Sequence, residues 1–136
     1  MTKNKFLRLS TTLLGSFALL SMTIIKSKQN DPWDAPVEYQ NMKNPYAGLE
    51  DDEKIGRIVY SKYCKFCHGN KGKGDGPQAK LVDTPVADFT MDSFKNQTDG
   101  SLYYKIYTGR NDMPSFEKII TDDEDLWMVI NYIRDL

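Results

Sequence analysis

The chain has 136 residues, enough for one domain with little to spare. It carries 18 basic and 19 acidic residues, and every acidic one lies after residue 30. From residue 31 onward 13 basic residues meet 19 acidic ones, a net charge of −6. Such a balance argues against a nucleic-acid binder, which needs a basic surface.

Residues 1–30 open with Lys3, Lys5 and Arg8, followed by an apolar run over residues 9–25 and then Lys26 and Lys28. The run is 17 residues long. That exceeds the core of a cleavable signal peptide and falls just short of the ~18–20 residues of a spanning helix. Cleavage after Ser16-Phe17-Ala18 would truncate the apolar core, and no cysteine follows the run to carry a lipid. A retained membrane anchor is therefore expected, with a cleaved signal peptide as the alternative. The early positive charges keep the start of the chain in the cytoplasm and put the remainder outside, on the periplasmic face.

Residues 31–48, "DPWDAPVEYQNMKNPYAG", hold three prolines and no apolar period, so they are expected to form an extended arm or linker. Fully extended, this arm would reach roughly 55 Å at about 3.1 Å per residue. The domain proper is expected over residues 49–136, entirely α-helical. A first helix is expected from about Leu49, with Glu50, Asp51, Asp52 and Glu53 favouring its N-terminal dipole. Ile55, Ile58, Val59, Tyr63 and Phe66 follow at helical spacing. A short helix is expected from Pro77 to about Val82, then irregular chain. Asp99–Thr108 reads as a helix stopped by Gly109, and Thr121 to Glu124 as a capping box opening the last helix. That helix carries Leu126, Val129, Ile130, Ile133 and Leu136 on one face.

The stretch "YCKFCHGNKGKGDGP" gathers both cysteines, Cys64 and Cys67, and the only histidine, His68. A disulfide closing so short a loop would stabilise little, since the benefit grows with loop length. A zinc site would have to take a carboxylate such as Asp75 as its fourth ligand. A thioredoxin-like pair would sit near a βαβ pattern, and none is present. C-x-x-C-H is also the attachment signature of c-type haem. Two thiols one helical turn apart can add to the two vinyl groups, and the adjoining histidine can reach the iron. The glycines then turn the backbone tightly and can aim a carbonyl at the histidine N–H.

With one histidine, bis-histidine ligation is excluded. Of six methionines, Met1 and Met22 belong to the leader, Met42 to the arm and Met128 to the last helix. Met91 and Met113 remain. Met113 is the stronger choice, because it lies in a polar loop without a core role, and Pro114 holds it extended. His/Met ligation raises the reduction potential and fills the sixth site, which favours electron carriage over turnover of a small-molecule substrate.

Together "GRIVYSKYCKFCHGNKGKGDGP", "DGSLYYKIYTGRNDMPSF" and "DEDLWMVINYIRDL" resemble the bacterial class I monohaem cytochromes c, over residues 49–136. The resemblance implies one haem c on Cys64 and Cys67, with His68 and Met113 as axial ligands. It also implies that the Pro77 carbonyl accepts from His68. Gly56 and Tyr60 would cross Tyr132, with Val129 nearby and Trp127 shielding the haem region. The implied activity is electron transfer between respiratory protein partners, without catalysis. The arm "EYQNMKNPYAG" is similar to that of cytochrome subunits in membrane respiratory complexes, including alternative complex III. A haem enzyme or sensor with an open iron is the competing class.

Overall fold

The computed structural model describes residues 32–136. In chain order its helices are α1 Val37–Gln40, α2 Ile55–Val59, a π-helical turn Tyr60–Cys64, and α3 Lys65–His68. They continue with α4 Asp92–Lys95, α5 Asp99–Thr108 and α6 Asp123–Arg134. No strand occurs among the described residues, only a single bridge between Arg110 and Met113. The fold is all-α, as expected. The expected leader lies outside the described residues, and among the described ones no helix is long and apolar enough to cross a membrane.

The core forms where α2 crosses α6. A Cβ on Gly56 would stand 2.2 Å from the Met128 carbonyl oxygen and 3.0 Å from Tyr132 Cβ. Only glycine lets the two backbones approach this closely. One turn on, the rings of Tyr60 and Tyr132 lie 5.2 Å apart. Tyr60, Leu126, Trp127, Val129 and Ile130 are fully buried around the crossing. Each such side chain contributes roughly 1.5–3 kcal/mol of transfer free energy. Trp127 packs on Tyr103, ring centroids 4.6 Å apart.

The first helix starts at Ile55, later than the acidic run suggested. The acidic run forms a capping turn before the helix instead of its first turn. The Asp51 carboxylate accepts from the backbone N–H of Ile55 at 2.7 Å and of Gly56 at 2.9 Å. Those are two of the donors that a helix start leaves unpaired. The buried face also differs. Gly56, Val59, Tyr60 and Cys64 point inward, whereas Ile58 and Phe66 are half exposed. The Gly56 contact selects the inward face, and the π-helical turn, which rotates the helix past a regular period, breaks the expected stripe.

Residues 77–82 form turns, with Ala79 N–H donating to the Gly76 carbonyl and Leu81 N–H to the Gln78 carbonyl, and not the expected helix. α5 has the expected bounds. Its N-cap is Thr98, whose hydroxyl accepts from Ser101 N–H. α6 is capped by Asp122, one residue beyond the expected Thr121, its carboxylate accepting from Glu124 N–H.

The larger departure is the arm. The folded unit begins at Trp33, so the boundary expected at residue 49 does not hold. Tyr39 packs against Tyr103 and Tyr104 of α5, at 6.4 and 4.9 Å between centroids. Asn44 donates to Asp99 at 3.1 Å and to Asn131 at 2.8 Å, and Asn131 donates back to the Tyr46 carbonyl. A Cβ on Gly100 would stand 1.9 Å from the Tyr39 carbonyl, so α5 presents a glycine where the arm crosses it. Ala35 is buried at 5% exposure. This segment is part of the domain and not a free tether.

Candidate functional site

Cys64 ends the π-helical turn, and Cys67 and His68 follow in α3. Both thiols are free, Cys64 buried and Cys67 half-buried. Burial pushes the Cys64 thiol up to about 12, and the neighbouring Cys67 adds to the rise. Cys64 is therefore a neutral thiol at ordinary pH. Among the described residues no three His, Cys, Asp or Glu side chains converge as a metal cage would require.

The glycine loop folds back over α3 and covers its carbonyls. Gly69 N–H donates to Lys65, Gln78 to Phe66, Gly76 to Cys67 and Gly74 to His68. Gly76 shows why the loop is glycine-rich: a Cβ there would stand 2.3 Å from the Phe66 carbonyl oxygen. Tyr60 adds a buried clasp from upstream, its hydroxyl donating to the Gly69 carbonyl at 2.6 Å. Burial raises the pKa of that phenol, so it stays a donor.

His68 Nδ1 lies 3.2 Å from the Ala87 carbonyl oxygen. A carbonyl can only accept, so Nδ1 carries the proton and Nε2 keeps its lone pair. Burial lowers the pKa of the imidazole and keeps it neutral. The ring stacks on Phe89, centroids 4.4 Å apart. The expected acceptor was the Pro77 carbonyl, and here the structure corrects the sequence reading. Residues 86–89 run close over the loop, with Phe89 N–H donating to the Gly72 carbonyl, and they bring the Ala87 carbonyl to the ring. Gly74 permits that approach, since a Cβ there would meet the Val86 carbonyl oxygen at 2.6 Å. Pro77 is instead exposed, on a shallow groove with Lys65, Lys71 and Asp75.

Met113 closes a four-residue turn. Arg110 N–H donates to its carbonyl at 2.8 Å, and its own N–H donates to the Arg110 carbonyl at 3.0 Å. Asn111 holds the turn in the left-handed region at φ 54°. Asp112 ties it to the loop ahead of Phe89, accepting from Thr84 N–H at 2.8 Å. Met113 is half-buried and packs against the same core as Cys64. Beyond it, Phe116 meets Tyr63 of the π-helical turn at 6.0 Å. Met91 is 55% exposed, whereas Met128 is buried as a packing residue.

Charge is unevenly distributed along the sequence. Residues 54–80 hold seven cations (Lys54, Arg57, Lys62, Lys65, Lys71, Lys73, Lys80) against Asp75 alone, a net of +6. The rest of the described chain carries the acidic excess. Six of those cations are exposed and Lys65 is half-buried, and Ile58 lines a shallow groove with Lys54, Arg57 and Lys62, to which Glu53 also contributes. The overall acidity of the chain hid this basic segment.

The family model for cytochrome c oxidase, cbb3-type, subunit III matches residues 51–133, more than half of the chain. The chain belongs to that family. It is a c-type cytochrome domain, a class that binds haem c and transfers electrons. Among solved structures it is similar to the c-type cytochrome KustC0563, at 21% identity and a TM-score of 0.51. That match covers 59% of this chain and 94% of the other. It is also similar to a chain of the Kuenenia stuttgartiensis reducing HAO-like protein complex Kustc0457/Kustc0458, at 28% identity and a TM-score of 0.54. There it covers 69% of its own length and spans about half of that chain, 48%. No curated protein matches it.

The residues of this cytochrome domain fit haem c. The free thiols of Cys64 and Cys67 sit one turn apart, and the Ala87 contact directs the His68 lone pair to Nε2.

Proposed function

We propose that this cytochrome domain is a one-electron carrier, with one haem held by Cys64 and Cys67 and ligated by His68 and Met113. Cys64 and Cys67 would hold the group by adding S–H across its two vinyl C=C bonds, sulfur to one carbon and hydrogen to the other, which would consume no oxidant. Bound there, haem supplies an iron that cycles between ferrous and ferric. Ala87 fixes the His68 tautomer and orientation, which tunes the ligand's basicity. The two-bond turn holds Met113 against withdrawal. A filled sixth site leaves no room for a small-molecule substrate, which favours a carrier over a haem enzyme or sensor. The observation that carries this reading is the Ala87 contact that fixes the His68 tautomer and leaves Nε2 its lone pair, beside the two free thiols one turn apart.

The partner is an acidic redox protein docking on the basic segment 54–80, where Ile58 and Phe66 are exposed. Opposite charge steers such encounters, and salt screens it. Electron transfer to an acidic acceptor is expected to slow as ionic strength rises. Reversing Lys65, Lys71 and Lys73 to Glu is expected to cut the low-salt rate by about tenfold or more. Rapid-mixing kinetics checks this, and a rate indifferent to salt and to these charges would contradict it.

The domain works on the outer, periplasmic side of the cytoplasmic membrane, held by residues 9–25 if they are retained. Residues 33–48 are folded into the domain and are not a free arm, which suits a subunit fixed beside its partner in a membrane complex, as in alternative complex III, better than a roaming shuttle. The likeness to a chain of a reducing HAO-like protein complex supports a place in an assembly.

A further inference from the structure

Trp33 stands at the start of the folded arm, half-buried, with two cations against its ring. Lys105 Nζ lies 5.6 Å from the ring centroid and Arg110 Cζ 5.7 Å. Both distances fall within the ~6 Å range of cation–π attraction. Burial lowers the pKa of Lys105, Asp34 opposes the shift and Arg110 adds to it. Residues 33 and 34 thus bring a π face and a carboxylate to a pair of like charges, of which Lys105 also donates to the Gln97 side-chain oxygen. Arg110 matters because its backbone makes both hydrogen bonds that close the Met113 turn.

The turn is also fastened on its other side, through Asp112 and Thr84. The arm is independently anchored by Tyr39 on α5 and by Asn44 on Asp99 and Asn131. A restraint on Arg110 therefore comes from chain that lies well outside residues 99–113 and is itself fixed.

From this juxtaposition we infer that Trp33 is a positioning residue for the Met113 turn, clasping it through Arg110 and slowing its opening. The inference rests on the proposed role of Met113 as distal ligand. A methionine whose turn opens less often concedes its site less often to a competing ligand. The upstream arm thus becomes part of the ligand pocket's support.

The test uses the full-length holoprotein with Trp33→Ala, Trp33→Leu and Trp33→Phe. Amide hydrogen exchange is followed across residues 107–116, and imidazole affinity is measured on the ferric protein. Trp33→Ala and Trp33→Leu are expected to speed exchange at Arg110 and Met113 and to tighten imidazole binding, each at least fivefold. Exchange within α6 should stay unchanged, and Trp33→Phe, which keeps a π face, should restore most of the protection. Unchanged exchange at Arg110 and Met113 would overturn the inference, as would a loss of protection shared equally by α6. Failure of the ligand reading is separable. If Met113→Ala retained the sulfur–iron absorption, Met113 would not be the ligand, while exchange in the turn would still decide the clasp.

Discussion

Met113→Ala is expected to abolish the sulfur–iron charge-transfer absorption of the ferric protein and to let carbon monoxide bind the ferrous form. The thioether is a soft donor that favours the reduced iron, so its loss should lower the reduction potential. A fall on the order of 0.1–0.2 V is reasonable within the ~0.8 V range that axial ligands command. Met91→Ala is the control, because Met91 is 55% exposed at the N-cap of α4 and should change neither property. Optical spectra with and without carbon monoxide, and a redox titration, check both variants. Should the absorption persist in Met113→Ala, another group holds the iron.

Gly56→Val is expected to destabilise the domain by about 3 kcal/mol or more, at the upper end of overpacking penalties. A branched side chain there has no empty volume to enter. Even its Cβ would meet a backbone oxygen of α6 at 2.2 Å, and backbone cannot turn aside as a side-chain tip can. The two helices must separate, and Tyr60, Val129 and Ile130 lose their close packing with them. Thermal or denaturant unfolding measures the loss. An unchanged midpoint would show that the helices do not cross at this glycine.

The parts of the molecule legible in the sequence are those whose signal is local. Cys64, Cys67 and His68 reveal themselves by spacing alone. The bounds of α5 follow from the Asp99 start and the Gly109 stop. The choice of Met113 followed from its polar loop, and the turn that pins it is consistent with that choice. What the sequence hid depends on distant pairs. The arm has no apolar period because it is held by single residues. Asn44 meets partners 55 and 87 residues away, and Tyr39 meets rings on α5. The acceptor for His68 was missed for the same reason, since Ala87 lies 19 residues on and arrives only because residues 86–89 cross the glycine loop. The π-helical turn leaves no mark in composition, yet it changes which side chains face inward.

Covalent attachment of one haem to Cys64 and Cys67 can be decided on the denatured wild-type holoprotein. A thioether-bound haem stays with the polypeptide after unfolding, whereas a haem held only by axial ligands leaves with the fold. Extraction with acidified organic solvent, followed by mass spectrometry of the peptide bearing residues 64–68, distinguishes the two. A colourless organic phase and a peptide heavier by one haem are expected. Haem in the organic phase, or a peptide of unmodified mass, would contradict covalent attachment.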